Sequence, residues 1–99
     1  MFTLRFISIL GVKLAVKIRV YATLREALGW SSLDVNIEGE TTVGNLLSSI
    51  KDLWAQIQER GLDFYTILIN GHNIRLIKEL DTVVRDNDVI DIFPPAAGG

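Results

Sequence analysis

The sequence predicts an α+β domain in which a sheet of about five strands packs on one long helix. A chain of 99 residues has room for one hydrophobic core but not for two domains. Segments with alternating apolar and polar residues, which are typical of half-buried strands, occur both early and late in the chain. Between them, residues 43–57 carry apolar side chains at helical spacing.

The first strand is predicted over residues 16–21. Its valines and isoleucine occupy every second position, and Lys17, Arg19 and Tyr21 occupy the positions between them. Tyr21 therefore shares the outward face of the sheet with two charged residues. Its simplest role there is packing against a neighbouring strand.

A short helix and a second strand are predicted next. Residues 23–28 form a helix that ends at Gly29, in the position where a C-terminal cap prefers glycine. Alternation then places Leu33, Val35 and Ile37 on the inward face of a second strand, which we expect to pair with the first.

The longest helix is predicted over residues 43–57, with Thr42 as its N-cap and Gly61 as its end. We expect its apolar side chains to form the core together with one face of the sheet. They are Val43, Leu46, Leu47, Ile50, Leu53, Trp54 and Ile57. The charged side chains form a solvated face: Lys51, Asp52, Glu59 and Arg60.

Three more strands are predicted in the second half of the chain. Residues 65–69 form a strongly apolar strand suited to the centre of the sheet. Asn70-Gly71 is a hairpin turn signal, and residues 74–77 form the returning strand. The last strand covers residues 89–93.

The last strand predicts a pair of exposed aromatic residues. Asp91 and Phe93 lie on the face opposite the two isoleucines of this strand. Since a carboxylate is rarely buried without a partner, Asp91 marks the outer face, and Phe93 belongs there with Tyr21.

Composition excludes several classes of function. The net charge is −2, and the four lysines and six arginines are scattered, so we expect no nucleic-acid partner. The absence of cysteine excludes disulfides and thiolate chemistry, and it fits a cytoplasmic protein. Arg5, Lys13 and Lys17 interrupt the apolar N-terminal stretch, which predicts neither a signal peptide nor a membrane span.

No catalytic or metal site can be nominated. The one histidine, His72, lies in the predicted hairpin without a nucleophile nearby in sequence. Residues 86–88 resemble the start of a calcium loop, but Asp91 replaces its glycine and Ala97 its final glutamate. No glycine-rich loop joins a strand to a helix, so no phosphate site is expected. The chain is therefore predicted not to be an enzyme by itself.

The sequence closes with Phe93-Pro94-Pro95-Ala96-Ala97-Gly98-Gly99. Two glycines carry no Cβ, so such a backbone can enter a narrow channel that side chains would block. The terminal carboxylate is then the unusual functional group of the molecule. The alternative is that small residues are simply tolerated at a chain terminus.

The order of elements and this flexible Gly-Gly tail resemble the ubiquitin-like β-grasp fold, in which a mixed sheet of about five strands packs on one long helix. Residues 17–29 are similar to the opening of the MoaD-type small subunit of molybdopterin synthase. Residues 86–99 resemble that family's acidic turn, final strand, Pro-Pro pair and tail. We therefore expect an N-terminal extension over residues 1–15 (an extra strand or an upstream start), a β-grasp domain over 16–95 and a C-terminal tail over 96–99.

The resemblance implies a sulfur carrier for molybdenum or tungsten cofactor synthesis. An ATP-using, ubiquitin-activating-like adenylyltransferase would adenylate the carboxylate of Gly99, and a sulfur donor would convert it into a thiocarboxylate. A MoaE-type large subunit would then use this sulfur, so the chain itself would bind no cofactor. The implied residues fall into two groups. Gly98, Ala97 and Ala96 would carry Gly99 into the active site of a partner, and the residues that bind the partner would be Tyr21, Phe93, Pro94 and Pro95.

Three other functions stay open. The fold and the tail do not encode the acceptor of the sulfur, so a carrier for thiamine synthesis or tRNA thiolation is also possible. A ubiquitin-like protein modifier would instead join Gly99 to a target lysine. A plain binding module with an accidental tail is the remaining alternative.

Overall fold

The computed structural model describes residues 14–96, which form a five-stranded sheet, a two-stranded sheet and three α-helices. The strands of the larger sheet lie in the order β2-β1-β7-β4-β5. Their bounds are Ala15–Val20 for β1, Ser32–Asn36 for β2, Thr66–Ile69 for β4, His72–Asn73 for β5 and Val89–Phe93 for β7. The smaller sheet pairs β3, Thr41–Thr42, with β6, Val83–Val84.

The larger sheet is mixed, as predicted. Strand β1 runs parallel to β7, with Ile18 opposite Ile90, and antiparallel to β2. Strand β4 runs antiparallel to β7, with Ile67 opposite Ile92. The apolar strand β4 is therefore internal, but the central position belongs to β7. A strand flanked on both sides buries its whole inner row of side chains, and Ile90 and Ile92 are fully buried.

The single long helix expected over residues 43–57 is two helices. Helix α2 spans Val43–Ser48 and helix α3 spans Lys51–Arg60. The chain is extended at Ile50, with φ −103° and ψ 98°. The hydroxyl of Ser49 donates to the carbonyl oxygen of Leu46 at 2.6 Å, so a side chain satisfies an acceptor that a continuous helix would bond through its backbone.

The predicted helix ends are otherwise confirmed. The Thr42 hydroxyl oxygen accepts from the backbone N–H of Asn45 at 3.1 Å. Gly61 ends α3 with φ at +90°, a conformation that favours glycine. Helix α1, Ala22–Leu28, ends at Gly29 in the left-handed conformation.

The hairpin after β4 is confirmed, but its return strand is shorter than expected. Asn70 and Gly71 both have positive φ, at 50° and 85°, which is the geometry of a tight hairpin. Strand β5 then pairs over only two residues, and the segment expected as a strand at 74–77 begins with a 3-10 helix, Ile74–Leu76. The Asn73 side chain caps this turn by accepting from the backbone N–H of Arg75.

One hydrophobic core lies between the inner face of the larger sheet and the helices. Most of its buried members come from β1, β4 and β7 on one side and from α1, α2 and α3 on the other, and Tyr65, Ile74 and Val84 complete it. The predicted alternation in β2 is correct, but this strand lies at the sheet edge, where Leu33 is 36% exposed. Trp54 packs partly buried against the core, as expected.

None of the helices within residues 14–96 has the length and hydropathy needed to cross a bilayer. Of the extension predicted over residues 1–15, residues 1–13 lie outside the described residues, as do the tail residues Ala97, Gly98 and Gly99. Its predicted end is one residue too late, since β1 begins at Ala15.

Candidate docking face and tail exit

The candidate site is the outer face, which we define as the surface of the larger sheet opposite the helices. The strand registers and the aromatic stack place these of its side chains next to one another: Lys17, Arg19, Tyr21, Asp34, Thr66, Leu68, Val89, Asp91 and Phe93. Apart from Asp91, every one of these residues is at least partly exposed. The face therefore presents apolar and charged groups to solvent.

Tyr21 and Phe93 form an aromatic stack on the outer face. Their ring centroids lie 4.3 Å apart and the ring planes differ by 1°. Tyr21 directly follows β1 in extended conformation, and Phe93 is the last residue of the adjacent parallel strand β7. The prediction that both lie on the outer face is confirmed, but each is half-buried rather than exposed because the rings cover one another.

Asp91 lies beneath the stack and accepts three hydrogen bonds. Its Oδ1 accepts from Arg19 Nε at 2.7 Å and from Tyr21 Oη at 2.7 Å, and its Oδ2 accepts from Arg19 Nη2 at 3.1 Å. The residue is 7% exposed. The expectation that this carboxylate would not be buried unpaired is therefore confirmed.

Arg19 is the residue that sequence reasoning missed. The alternation of β1 predicts its outward position, but its pairing with Asp91, 72 residues later in the chain, depends on β1 lying directly beside β7. The sequence did contain a signal for this pair. Arg19 and Tyr21 are two residues apart and share one face of their strand, as Asp91 and Phe93 do on theirs. Opposite charges at matching positions are favourable when two strands are neighbours.

The hydrogen bonds shift the titration of this group of side chains. The hydrogen bond from Arg19 lowers the pKa of Asp91 below its ordinary value of 3.8, although burial acts in the opposite direction. The hydrogen bond to Asp91 raises the pKa of Tyr21 above 10.0, and burial adds to this effect. At neutral pH the carboxylate is ionised and the phenol is protonated.

The outer face balances its own charges. Lys17 Nζ lies 2.9 Å from Asp34 Oδ1, and both side chains are largely exposed. Together with the Arg19–Asp91 pair, this gives two positive and two negative groups on one face. Contacts with this face therefore depend on its aromatic and aliphatic surface more than on a net charge.

The chain leaves the sheet at one end of the aromatic stack. Phe93 pairs with Thr66 of β4 and is the last strand residue, and Pro94 and Pro95 follow it directly. Proline has a fixed φ and no backbone N–H, so it ends the ladder here. Pro94 is half-buried, whereas Pro95 and Ala96 are exposed.

Other polar residues singled out in the sequence have structural contacts. Asp86 accepts from the backbone N–H of Ala15, and Asp88 accepts from the backbone N–H of Arg85 and from the Asn70 amide. His72 is exposed. Over residues 14–96 there is no group of three or more histidine or acidic side chains placed to hold a metal ion. The arrangement is suited to docking.

Comparisons with known proteins agree with the fold. The family model described as the ThiS family matches residues 18–99. The chain is 34% identical to a proposed sulfur carrier protein from Archaeoglobus fulgidus, across 87% of this chain and 100% of that protein. It is 30% identical to the molybdopterin synthase sulfur carrier subunit of Dictyostelium discoideum, across 84% of this chain and 94% of that protein.

A solved structure supports the same grouping. The solution structure of small archaeal modifier protein 1 from Methanosarcina acetivorans matches with a TM-score of 0.67 and 34% identity. The match covers 90% of this chain and 100% of that one. The relatives thus include both carriers of sulfur and modifiers of proteins.

Proposed function

This chain belongs to the ThiS family of ubiquitin-like β-grasp proteins, and we propose that it is the sulfur carrier subunit of a molybdopterin synthase. In this role it delivers sulfur as a thiocarboxylate on Gly99 for molybdenum or tungsten cofactor synthesis. The observation that carries the proposal is the aromatic stack of Tyr21 and Phe93 directly before Pro94. A docking surface at the root of a Gly-Gly tail is what a carrier needs, because its partner must bind the domain and reach the terminus together.

The chemistry requires activation, because a carboxylate is a poor electrophile. A Gly99 carboxylate oxygen attacks the α-phosphorus of ATP, pyrophosphate leaves, and an acyl-adenylate forms. Hydrosulfide, or a donor equivalent to it, then attacks the carbonyl carbon, and AMP leaves with the electrons of the broken C–O bond. The product is a thiocarboxylate. ATP is bound by the activating enzyme, and this chain contributes the carboxylate and the docking surface.

Two partner proteins follow from this role. An adenylyltransferase of the ubiquitin-activating type forms the thiocarboxylate, and a MoaE-type large subunit uses it. Both must approach Gly99, so they bind the outer face one after the other. The half-exposed aromatic and aliphatic side chains of this face suit such docking, since aromatic side chains supply much of the binding energy in protein interfaces.

A second candidate function is protein modification, in which Gly99 forms an isopeptide bond with a lysine of another protein. The observation that favours it is the 34% identity to the small archaeal modifier protein. Sulfur delivery to tRNA or to thiamine is a third destination that the same thiocarboxylate serves. All of these functions share the adenylation of Gly99 and differ in the nucleophile or acceptor that follows.

Intact mass spectrometry of the protein from its own cells separates the candidates. We expect a fraction of the chain to be heavier by the difference between one sulfur and one oxygen atom, and this fraction to disappear after treatment with an alkylating reagent that traps thiocarboxylates. The matched control is a variant with one residue added after Gly99, which keeps the domain but displaces the reactive carbon.

Two results would count against the carrier. Recovery of the chain only as lysine adducts would favour the modifier function. Unchanged adenylation of the extended variant would remove the role assigned to Gly99.

A further inference from the structure

The geometry points to Asp91 as a positioning residue: we propose that it fixes the orientation of the Tyr21–Phe93 stack that partner proteins bind at the root of the tail. The inference rests on the proposed function for its consequence in docking. It adds a residue that acts through Tyr21, whose hydroxyl group it binds.

The first step is that Asp91 holds the Tyr21 ring at its far end. The phenol hydroxyl donates to Asp91 Oδ1 at 2.7 Å, and the ring lies parallel to Phe93 with a centroid separation of 4.3 Å. Aromatic pairs also adopt edge-to-face packing, which is of similar energy. A half-exposed pair without the hydrogen bond therefore has more than one arrangement available. The bond fixes the direction of the Tyr21 side chain, because the phenol oxygen lies on the ring axis, and so keeps the ring against Phe93.

The second step is that Asp91 is itself fixed. It lies on the central strand β7, is 7% exposed, and accepts two hydrogen bonds from the guanidinium of Arg19. Paired charge-assisted bonds of this kind restrict both partners to one geometry. Asp91 is thus a rigid anchor between the two elements that carry the aromatic rings.

The third step is that stability alone does not account for a charged residue here. Replacing a buried ion pair by apolar residues of similar volume is often neutral or stabilising. In this pair Asp91 is the buried partner, and the Arg19 side chain is 46% exposed. An aliphatic residue at position 91 would extend the apolar surface of Leu68 and Val89, which lie on the same face. The carboxylate adds orientation, and the residue oriented lies next to Phe93 and the exit at Pro94.

The test compares two double variants. Arg19→Met with Asp91→Leu removes the anchor without leaving a lone buried charge. Arg75→Met with Asp63→Leu removes another Arg–Asp pair of equal length, 2.7 Å, whose arginine side chain has nearly the same exposure, 45% against 46%. The second pair lies outside the outer face and controls for the loss of an Arg–Asp pair. It differs in that its aspartate side chain is 89% exposed, against 10% for Asp91.

The first readout is ring geometry in the purified chain, measured by NMR. A parallel ring at 4.3 Å shifts the Phe93 ring protons upfield, and we expect this shift in the wild type and in the control. In the Arg19/Asp91 double variant we expect the upfield shift of the Phe93 ring protons to fall towards the value of an unstacked phenylalanine. Tyr21→Phe should reduce this shift in part. An unreduced shift in the double variant would overturn the positioning role.

The second readout is ATP–pyrophosphate exchange by the adenylyltransferase from the same organism. We expect the KM for the Arg19/Asp91 double variant to rise about tenfold with kcat unchanged, because docking weakens while the reactive carboxylate is intact. The control variant should keep the wild-type KM. A lost ring shift with an unchanged KM would overturn the role of the stack orientation in docking.

Failure of the proposed function can be distinguished from failure of the positioning role of Asp91. If the wild-type chain supports no exchange at all, the proposed function is wrong, and the NMR comparison alone decides whether Asp91 positions the stack. If the double variant does not fold, Tyr21→Phe provides the comparison, since it removes only the hydroxyl that donates to Asp91 and keeps the aromatic ring.

Discussion

The two faces of the five-stranded sheet are built from the same strands but serve different purposes. On β7, Ile90 and Ile92 point into the core and are fully buried, whereas Asp91 and Phe93 belong to the outer face. The inner-face side chains of β1, β4 and β7 are all aliphatic, and the helices cover them. The outer face combines two ion pairs with an aromatic stack and keeps most of its side chains accessible.

If the outer face is the docking surface that we propose, the difference separates stability from recognition. Because side chains alternate along a strand, neighbouring positions on β7 contribute to the core and to the proposed docking surface in turn. Substitution of an inner residue is therefore expected to unfold the domain, and substitution of an outer residue to change binding while the fold is retained. The predictions below test this separation, beginning with the largest effect.

The largest effect is expected for Ile92→Ala. This side chain is fully buried on the central strand, so truncation leaves a cavity between the sheet and the helices. We expect the free energy of unfolding to fall by about 2–5 kcal/mol. Denaturant titration measures it, with an unchanged slope as the sign of two-state behaviour. A loss below about 1 kcal/mol would show that the core tolerates a void at this position.

At the next residue, Phe93→Arg should reduce partner affinity more than the stability of the fold. Phe93 is half-buried against Tyr21, and the aliphatic stem of arginine can still cover that ring. We expect the affinity for the adenylyltransferase to fall by about 2 kcal/mol or more, as for an aromatic hot spot, and the free energy of unfolding to change by about 1 kcal/mol. Calorimetric titration and denaturant unfolding give the two numbers.

The test is the ratio of the two losses in Phe93→Arg, one in affinity for the adenylyltransferase and one in the free energy of unfolding. If stability falls by more than affinity, Phe93 belongs to the core and the division of β7 into two sets of residues is wrong. Tyr65→Phe is a suitable control, since it alters a buried aromatic residue of the chain that is not part of the outer face.

Much of this division follows from sequence, because alternation is a local property. The period of two in residues 16–21 and 89–93 places each side chain on its face before any pairing is known. The Asn70-Gly71 turn and the glycines at 29 and 61 likewise reflect local backbone geometry.

What sequence could not give depends on distant contacts or on competing local bonds. The central place of β7, the edge place of β2 and the Arg19–Asp91 pair all follow from which strands are neighbours. The break between α2 and α3 has no signal in the apolar spacing, which continues through Ile50. Ser49 competes for the helix carbonyls there, and whether a serine does so is decided by tertiary packing.

A smaller effect is expected from acid titration of the outer face. The folded-state pKa of Asp91 is lowered, mainly by the hydrogen bond from Arg19. The unfolded chain therefore takes up the proton first as pH falls, and stability decreases as pH drops from the ordinary value of 3.8 through the lower folded-state value. We expect Asp91→Asn to lose less stability than the wild type across this range, measured by denaturant unfolding at each pH. Parallel curves would mean that the Arg19–Asp91 pair contributes nothing to folding.

The smallest effect is expected for the exposed pair on the same face. Lys17 and Asp34 lie 2.9 Å apart, but their side chains are 46% and 68% exposed, so water and salt screen their attraction. Replacing Lys17 by Met and Asp34 by Asn together should change the free energy of unfolding by less than about 0.5 kcal/mol at physiological salt. A double-mutant cycle isolates the coupling energy of the pair. Repeating the cycle at high salt shows how much of this energy is an attraction that salt can screen. A coupling above about 1 kcal/mol would mean that charge pairs on the outer face stabilise the fold, and the separation between the two faces would then be one of degree.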